Sequence, residues 1–244
     1  MKELCEDFNK TISFDLSEFI ENIWFSSSWK TFSRTIKKES SQKLNDLEYQ
    51  RQRKELKKII FIKLNSFPFL DSFDNESYKK FKDFNDNQKQ VCIDDWYKNT
   101  INSEYEFFNY LTIGQKQKLI NILIKYSVCC STINLDSKNK FKYRFEENLK
   151  FLHIPIDNVI LKNTNYLFSD EDEILKNVLT SKHCFKLVRG ESSWSKLNNY
   201  ESYIKFQKYI RDKSNMFGMS PLEFEMKFLW KSEKDLIQYY FYNN

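Results

Sequence analysis

Close approach between backbones is easiest at Gly and Ala, and this sequence almost lacks both. Among 244 residues there is no Ala, with three Gly and three Pro against 23 Phe and 14 Tyr. Bulky side chains must therefore fill the core. The few glycines mark places where a side chain cannot sit, such as a tight turn or a positive-φ residue. Those positions are Gly114, Gly190 and Gly218. A chain of this length forms one large domain or two small ones. Its 41% hydrophobic and 30% charged residues exclude wholesale disorder and collagen-like repeats. The longest comparable apolar run, Ile59-Ile60-Phe61-Ile62, ends at Lys63, far short of the roughly 18 residues of a membrane span. Met1-Lys2-Glu3-Leu4 opens no signal-peptide pattern. Five Cys, two of them adjacent at Cys129-Cys130, suit reduced thiols better than a disulfide framework. A cytoplasmic protein without a membrane partner is expected.

Apolar residues recur at helical spacing, and strict alternation is rare. The expected fold is mostly α, a multi-helix globular protein with little or no β. Asp15 or Ser17 can cap a helix carrying Leu16, Phe19, Ile20, Ile23 and Trp24 on one stripe. A long basic helix is expected from Leu44 to Leu64. Residues 71–90 read as a loop with a short helix and a boundary, dividing an N-terminal helical region (1–90) from a core with C-terminal helices (91–244). Ser169-Asp170-Glu171-Asp172 opens another helix. Tyr200, Tyr203, Ile204, Gln207 and Ile210 form a further stripe. Ser220-Pro221-Leu222-Glu223 is a capping box with Pro at the first helical position.

Charge is unevenly placed. The whole chain carries +5. From Lys30 to Lys63 eleven bases stand against four acids, a local +7. On the helix at 44–64 the face of Arg51, Arg53, Lys54, Lys57 and Lys58 offers contacts to nucleic-acid phosphates. A solvated face is the plainer alternative for the same residues. Lys138, Lys140, Lys142 and Arg144 interleave with Phe141, Tyr143 and Phe145, which suits a strand or an amphipathic loop.

The middle of the chain carries the most specific pattern. Leu111-Thr112-Ile113-Gly114-Gln115-Lys116-Gln117-Lys118 leads into an apolar helix through Leu119, Ile120, Leu123, Ile124 and Tyr126, with Lys125 beside them. Further on, Leu152-His153-Ile154-Pro155-Ile156-Asp157 gives an extended approach to a helix that Asp157 can cap. This order resembles the helix-hairpin-helix DNA glycosylase superfamily over residues 92–165. The family's hairpin, Gly-hydrophobic-Gly-x-Lys, corresponds to Thr112-Ile113-Gly114-Gln115-Lys116, so the second Gly and the Lys match and the first Gly is a Thr. Pro155-Ile156-Asp157 is similar to the family's Asp motif. The resemblance implies a helix-hairpin-helix core that binds DNA and removes damaged or modified bases from it. Asp157 would stabilise the oxocarbenium-like sugar or activate water, and Lys116 would attack the anomeric carbon. Backbone N–H groups from Gly114 to Lys116 would hold a phosphate, with Gln115, Lys118 and Lys125 completing the DNA contacts.

Asp157 as an ordinary cap and Lys116 as one of several solvated lysines remain open alternatives. On that reading the chain is a non-catalytic nucleic-acid- or protein-binding factor, of the kind used in phage defence or by mobile elements. Other chemistry finds little footing. His153 and His183 with Cys129, Cys130 and Cys184 lack zinc-ligand spacing. Glu225-Met226-Lys227 has the spacing of a metal nuclease but falls inside a helix, where a solvated face is expected. No cofactor is called for.

Overall fold

The computed structural model describes residues 50–51, 54–55, 67, 70–71, 80–103, 111–131, 142–143, 146–168 and 194–229. Over these residues the protein is mostly α. The chain divides into two compact units: 1–92, 105–110 and 122–148 in one, and 93–104, 111–121 and 149–244 in the other. The expected division at residue 90 lies near the first crossing, but the chain then returns to the first unit twice. The expected helices at 16–24 and after Ser169, and Gly190, lie outside the described residues.

In the first unit, Gln50, Arg51, Lys54 and Glu55 are helical and exposed, inside the basic helix that the sequence predicts. A two-residue strand β1 (Leu70–Asp71) pairs antiparallel with β2 (Lys142–Tyr143), Leu70 opposite Tyr143. The basic-aromatic segment thus contributes a strand, and this short ladder is all the β structure among the described residues. The end of the 71–90 segment is already helix α1 (Asp86–Ile101). Asn85 starts it: its Oδ1 accepts from Gln88 N–H at 2.9 Å while its own N–H donates to Gln88 Oε1 at 3.0 Å.

The second unit takes the C-terminal part of α1 and the start of α2 (Ile113–Ser131), then a 3-10 helix (Glu146–Phe151) leads to the segment Leu152–Asp157, which is neither helix nor strand. Helix α3 (Asn158–Phe168), a 3-10 turn (Trp194–Lys196), α4 (Tyr200–Met216) and α5 (Pro221–Phe224) follow. The core is bulky throughout, with Tyr97, Tyr203, Phe206 and Phe224 among the largest fully buried side chains. On α4 the expected Tyr203, Gln207 and Ile210 are buried, joined by Ser202, Phe206, Tyr209 and Ser214, while Tyr200 and Ile204 are half-exposed. Asn199 caps its start. Gly218, at φ +63°, ends it: Gly218 N–H donates to Asn215 O and Met219 N–H to Ser214 O, both at 3.0 Å.

Ser220 forms the predicted capping box with Glu223, their reciprocal bonds measuring 3.4 and 2.9 Å. Hydrogen bonds from Ser220 hold the Glu223 carboxyl below its usual range. Helix α5 widens into a π-helix (Glu225–Leu229) packed on α3, where Asn163 Nδ2 donates to Leu229 O at 2.8 Å. Here the expected solvated Glu225-Met226-Lys227 face is corrected. Glu225 is buried with Phe228 and Leu229, its neighbours three and four residues on, while Met226 and Lys227 face solvent.

Candidate functional site

Helix α2 begins on its own side chains. Thr112, the residue standing where the glycosylase hairpin has its first Gly, caps the helix. Its Oγ1 accepts from Gln115 N–H at 3.2 Å, and Gln115 Oε1 accepts from Thr112 N–H at 3.0 Å. Thr112 Oγ1 also donates to Ser195 O at 2.6 Å. Gly114 N–H donates to Leu197 O at 2.9 Å, and Lys116 N–H to Thr112 O at 3.0 Å. The amides from Gly114 to Lys116, expected to hold a phosphate, are therefore all committed within the protein. Residues 104–110, which would complete a hairpin, lie outside the described residues. Gly114 itself is explained by the 194–197 turn: a Cβ there would lie 1.8 Å from the Trp194 carbonyl oxygen.

The carboxylate of Asp157 meets an amine, and it is that of Lys118. Lys118 Nζ lies 3.3 Å from Asp157 Oδ2, both side chains about one-fifth exposed. The same ammonium stands 4.5 Å above the centre of the Trp194 ring, a cation–π contact. Asp157 Oδ1 accepts from Val159 N–H at 2.9 Å and Ile160 N–H at 3.1 Å, so this residue caps α3 as its position suggested. Lys116, two residues before Lys118, leaves the helix on a different side. It is half-buried, and burial holds its ammonium below the usual lysine range. Gln115 is buried by its capping role. Lys125, on α2 within the first unit, is half-exposed. Arg51 and Lys54 are exposed, whereas Arg53, Lys57 and Lys58 lie outside the described residues.

Because Asn is as good a cap as Asp, the cap and the ion pair are separable. Asp157→Ala is expected to destabilise the protein by about 1–2 kcal/mol and Asp157→Asn by under about 1 kcal/mol, read from urea midpoints.

His153, which the sequence offered as a zinc ligand, joins α1 and α4 of the second unit through one buried ring. It is fully buried in the segment 152–157. Its ring stacks on Tyr97 at 3.9 Å, 10° from parallel. Nδ1 lies 2.7 Å from the Tyr203 hydroxyl, and Nε2 lies 2.8 Å from Asp94 Oδ1, which also takes Arg211 Nη2 at 3.3 Å. The Asp94 carboxylate can only accept, so the proton of the neutral imidazole sits on Nε2 and Nδ1 is left to accept from the Tyr203 hydroxyl, whose oxygen receives Asn121 Nδ2 at 3.2 Å. Burial holds His153 down to about 4, against the opposing pull of Asp94. Burial likewise pushes the Tyr97, Tyr200 and Tyr203 hydroxyls well above the tyrosine range.

Side chains, in place of a neighbouring strand, hold the segment's backbone. Gln207 accepts from Ile154 N–H at 3.0 Å and donates to Ile154 O at 2.8 Å. Gln117 does the same at Ile156, at 3.1 and 2.8 Å. Asn121 adds a bond to Ile154 O at 3.0 Å. A buried Gln at helical spacing is the one sequence signal that could have pointed here.

Among the described residues no group of three His, Cys, Asp or Glu could hold a metal ion, and no helix is long and apolar enough to cross a membrane. The chain matches no family model, no curated protein and no solved structure.

Proposed function

We propose that this chain is a helical nucleic-acid-binding protein that makes contact through the face bearing Trp194 and Lys118. The observation that carries this reading is the half-exposed Trp194 indole, with the Lys118 ammonium over its ring and exposed Lys196 in the same turn. An aromatic surface among cations suits base stacking combined with phosphate neutralisation. Binding without base excision fits best, because Asp157 already serves three donors and the α2 amides are taken by the protein's own oxygens.

Anisotropy titration of a labelled single-stranded oligonucleotide and its duplex tests this. Affinity should fall steeply between 50 and 200 mM salt, by roughly tenfold or more for a few phosphate contacts. Trp194→Ala should weaken it by about 5- to 100-fold if one base stacks there. Affinity indifferent to salt, or a Trp194→Ala protein that binds as the parent does, would sink the proposal. Retention of an acidic protein instead would favour the protein-binding alternative.

One observation favours a second reading, base excision: an amine and a carboxylate stand together at Lys118 and Asp157. Duplexes carrying damaged or modified bases would then accumulate abasic sites, and borohydride would trap a Lys118 Schiff base. Excision unchanged in Asp157→Asn rules that mechanism out.

A further inference from the structure

The segment Leu152–Asp157 crosses the second unit without a partner strand, pinned at Ile154 and Ile156 by three neutral amide side chains and near its start by His153. We infer that His153 is an acid-sensitive latch, whose protonation withdraws the imidazole from its slot and unfastens this segment from α1, α2 and α4.

The geometry allows one neutral state of the ring. Tyr203 donates to Nδ1, and Nε2–H donates to Asp94. A second proton on Nδ1 would remove the acceptor for the Tyr203 hydrogen. It would also place a cation in a fully buried site, stacked on Tyr97. The titratable and charged groups facing the imidazole are Asp94 and Tyr97 from α1 and Tyr203 and Arg211 from α4, with Tyr200 behind them. From α2 comes Asn121, which does not titrate. Asp94 alone favours the cation, and Arg211, 3.3 Å from the same carboxylate oxygen, opposes it.

The sign follows from the direction of the shift. A histidine at about 4 when latched and 6.5 when released binds its proton preferentially in the released form. The latch is complete above pH 6.5 and weakens as pH falls from 6.5 to 4, by up to tenfold per pH unit. Because Asp157 ends the segment, release also loosens the cap of α3 and the ion pair to Lys118.

Amide hydrogen exchange on the full chain reads this directly. Protection at Ile154 and Ile156, corrected for intrinsic exchange, should fall by about 30-fold between pH 7.5 and pH 5. In His153→Gln it should stay flat over that range. Since this variant could fail to fold, a second measurement uses His183→Gln, whose one remaining imidazole is that of His153. Its ring proton shifts should stay constant from pH 8 to pH 5. Protection independent of pH in the parent protein, or an imidazole that titrates near 6.5 while the protein stays folded, overturns the inference.

Discussion

Gly114→Ala is expected to destabilise the protein by about 3 kcal/mol or more, the upper range for overpacking a well-fitted site. The new methyl carbon would stand 1.8 Å from the Trp194 carbonyl oxygen and 2.9 Å from its carbon, with Leu197 Cβ at 3.2 Å. Two of those three are backbone atoms, so no side-chain rotation can clear them. Either α2 or the 194–197 turn must move, and the bond from Gly114 N–H to Leu197 O goes with it. Gly218 provides the contrast. Nothing lies within 4 Å of a Cβ there, and the cost comes only from its φ of +63°. Gly218→Ala should therefore cost about 1 kcal/mol, and Gly218→Asn less, because Asn tolerates the left-handed conformation. Urea unfolding followed by circular dichroism ranks the three. A Gly114→Ala protein as stable as Gly218→Ala would contradict the close approach.

The second large effect is expected at His153. Truncation to Ala removes a fully buried ring stacked on Tyr97, takes away the acceptor of the Tyr203 hydrogen and leaves Asp94 Oδ1 with Arg211 but without its imidazole donor. A cavity of ring size and the loss of two buried hydrogen bonds together cost about 4–5 kcal/mol. That is comparable with the whole stability of many domains. The second unit is expected to lose cooperative unfolding, with protection of the Ile154 and Ile156 amides collapsing first. His153→Phe separates the contributions: it keeps the stack and most of the volume, so the remaining loss reports the two hydrogen bonds. If His153→Ala unfolds within about 1 kcal/mol of the parent, the polar network is not what holds the segment.

These two residues differ in how far they could be read in advance. Gly114 was conspicuous because so few glycines are present, and the expectation that a side chain could not fit there holds. What crowds it is a turn 80 residues downstream, and no local pattern announces that. His153 stood in a segment expected to be extended because of Pro155, and residues 152–157 form neither helix nor strand. Its partners, however, are Asp94, Tyr97, Tyr203 and Arg211, from two helices far apart in sequence, and only folding brings them to one imidazole.

The same limit governs the candidate site. Asp157 as a cap followed from its place before Asn158, because a cap reads only its own next three amides. Which lysine it meets did not follow. Motif spacing pointed to Lys116, but the helix rotates about 100° per residue, so the amine turned toward Asp157 is that of Lys118. Thr112 likewise ended the match to the hairpin motif and turned out to be the residue that starts α2.

Local physics therefore settled much from sequence. The helical class, much of the buried stripe of α4, the Ser220 capping box, the Asp157 cap and the left-handed Gly218 all depend on spacing and neighbours within a few residues. Tertiary structure alone decided which side chains face one another: Gln117 and Gln207 standing in for a strand, His153 between Tyr203 and Asp94, and Lys118 between Trp194 and Asp157. Each of those contacts joins residues 39 or more apart, and a hydrogen bond or ion pair at that separation is set by how helices pack, which single-residue propensities do not encode.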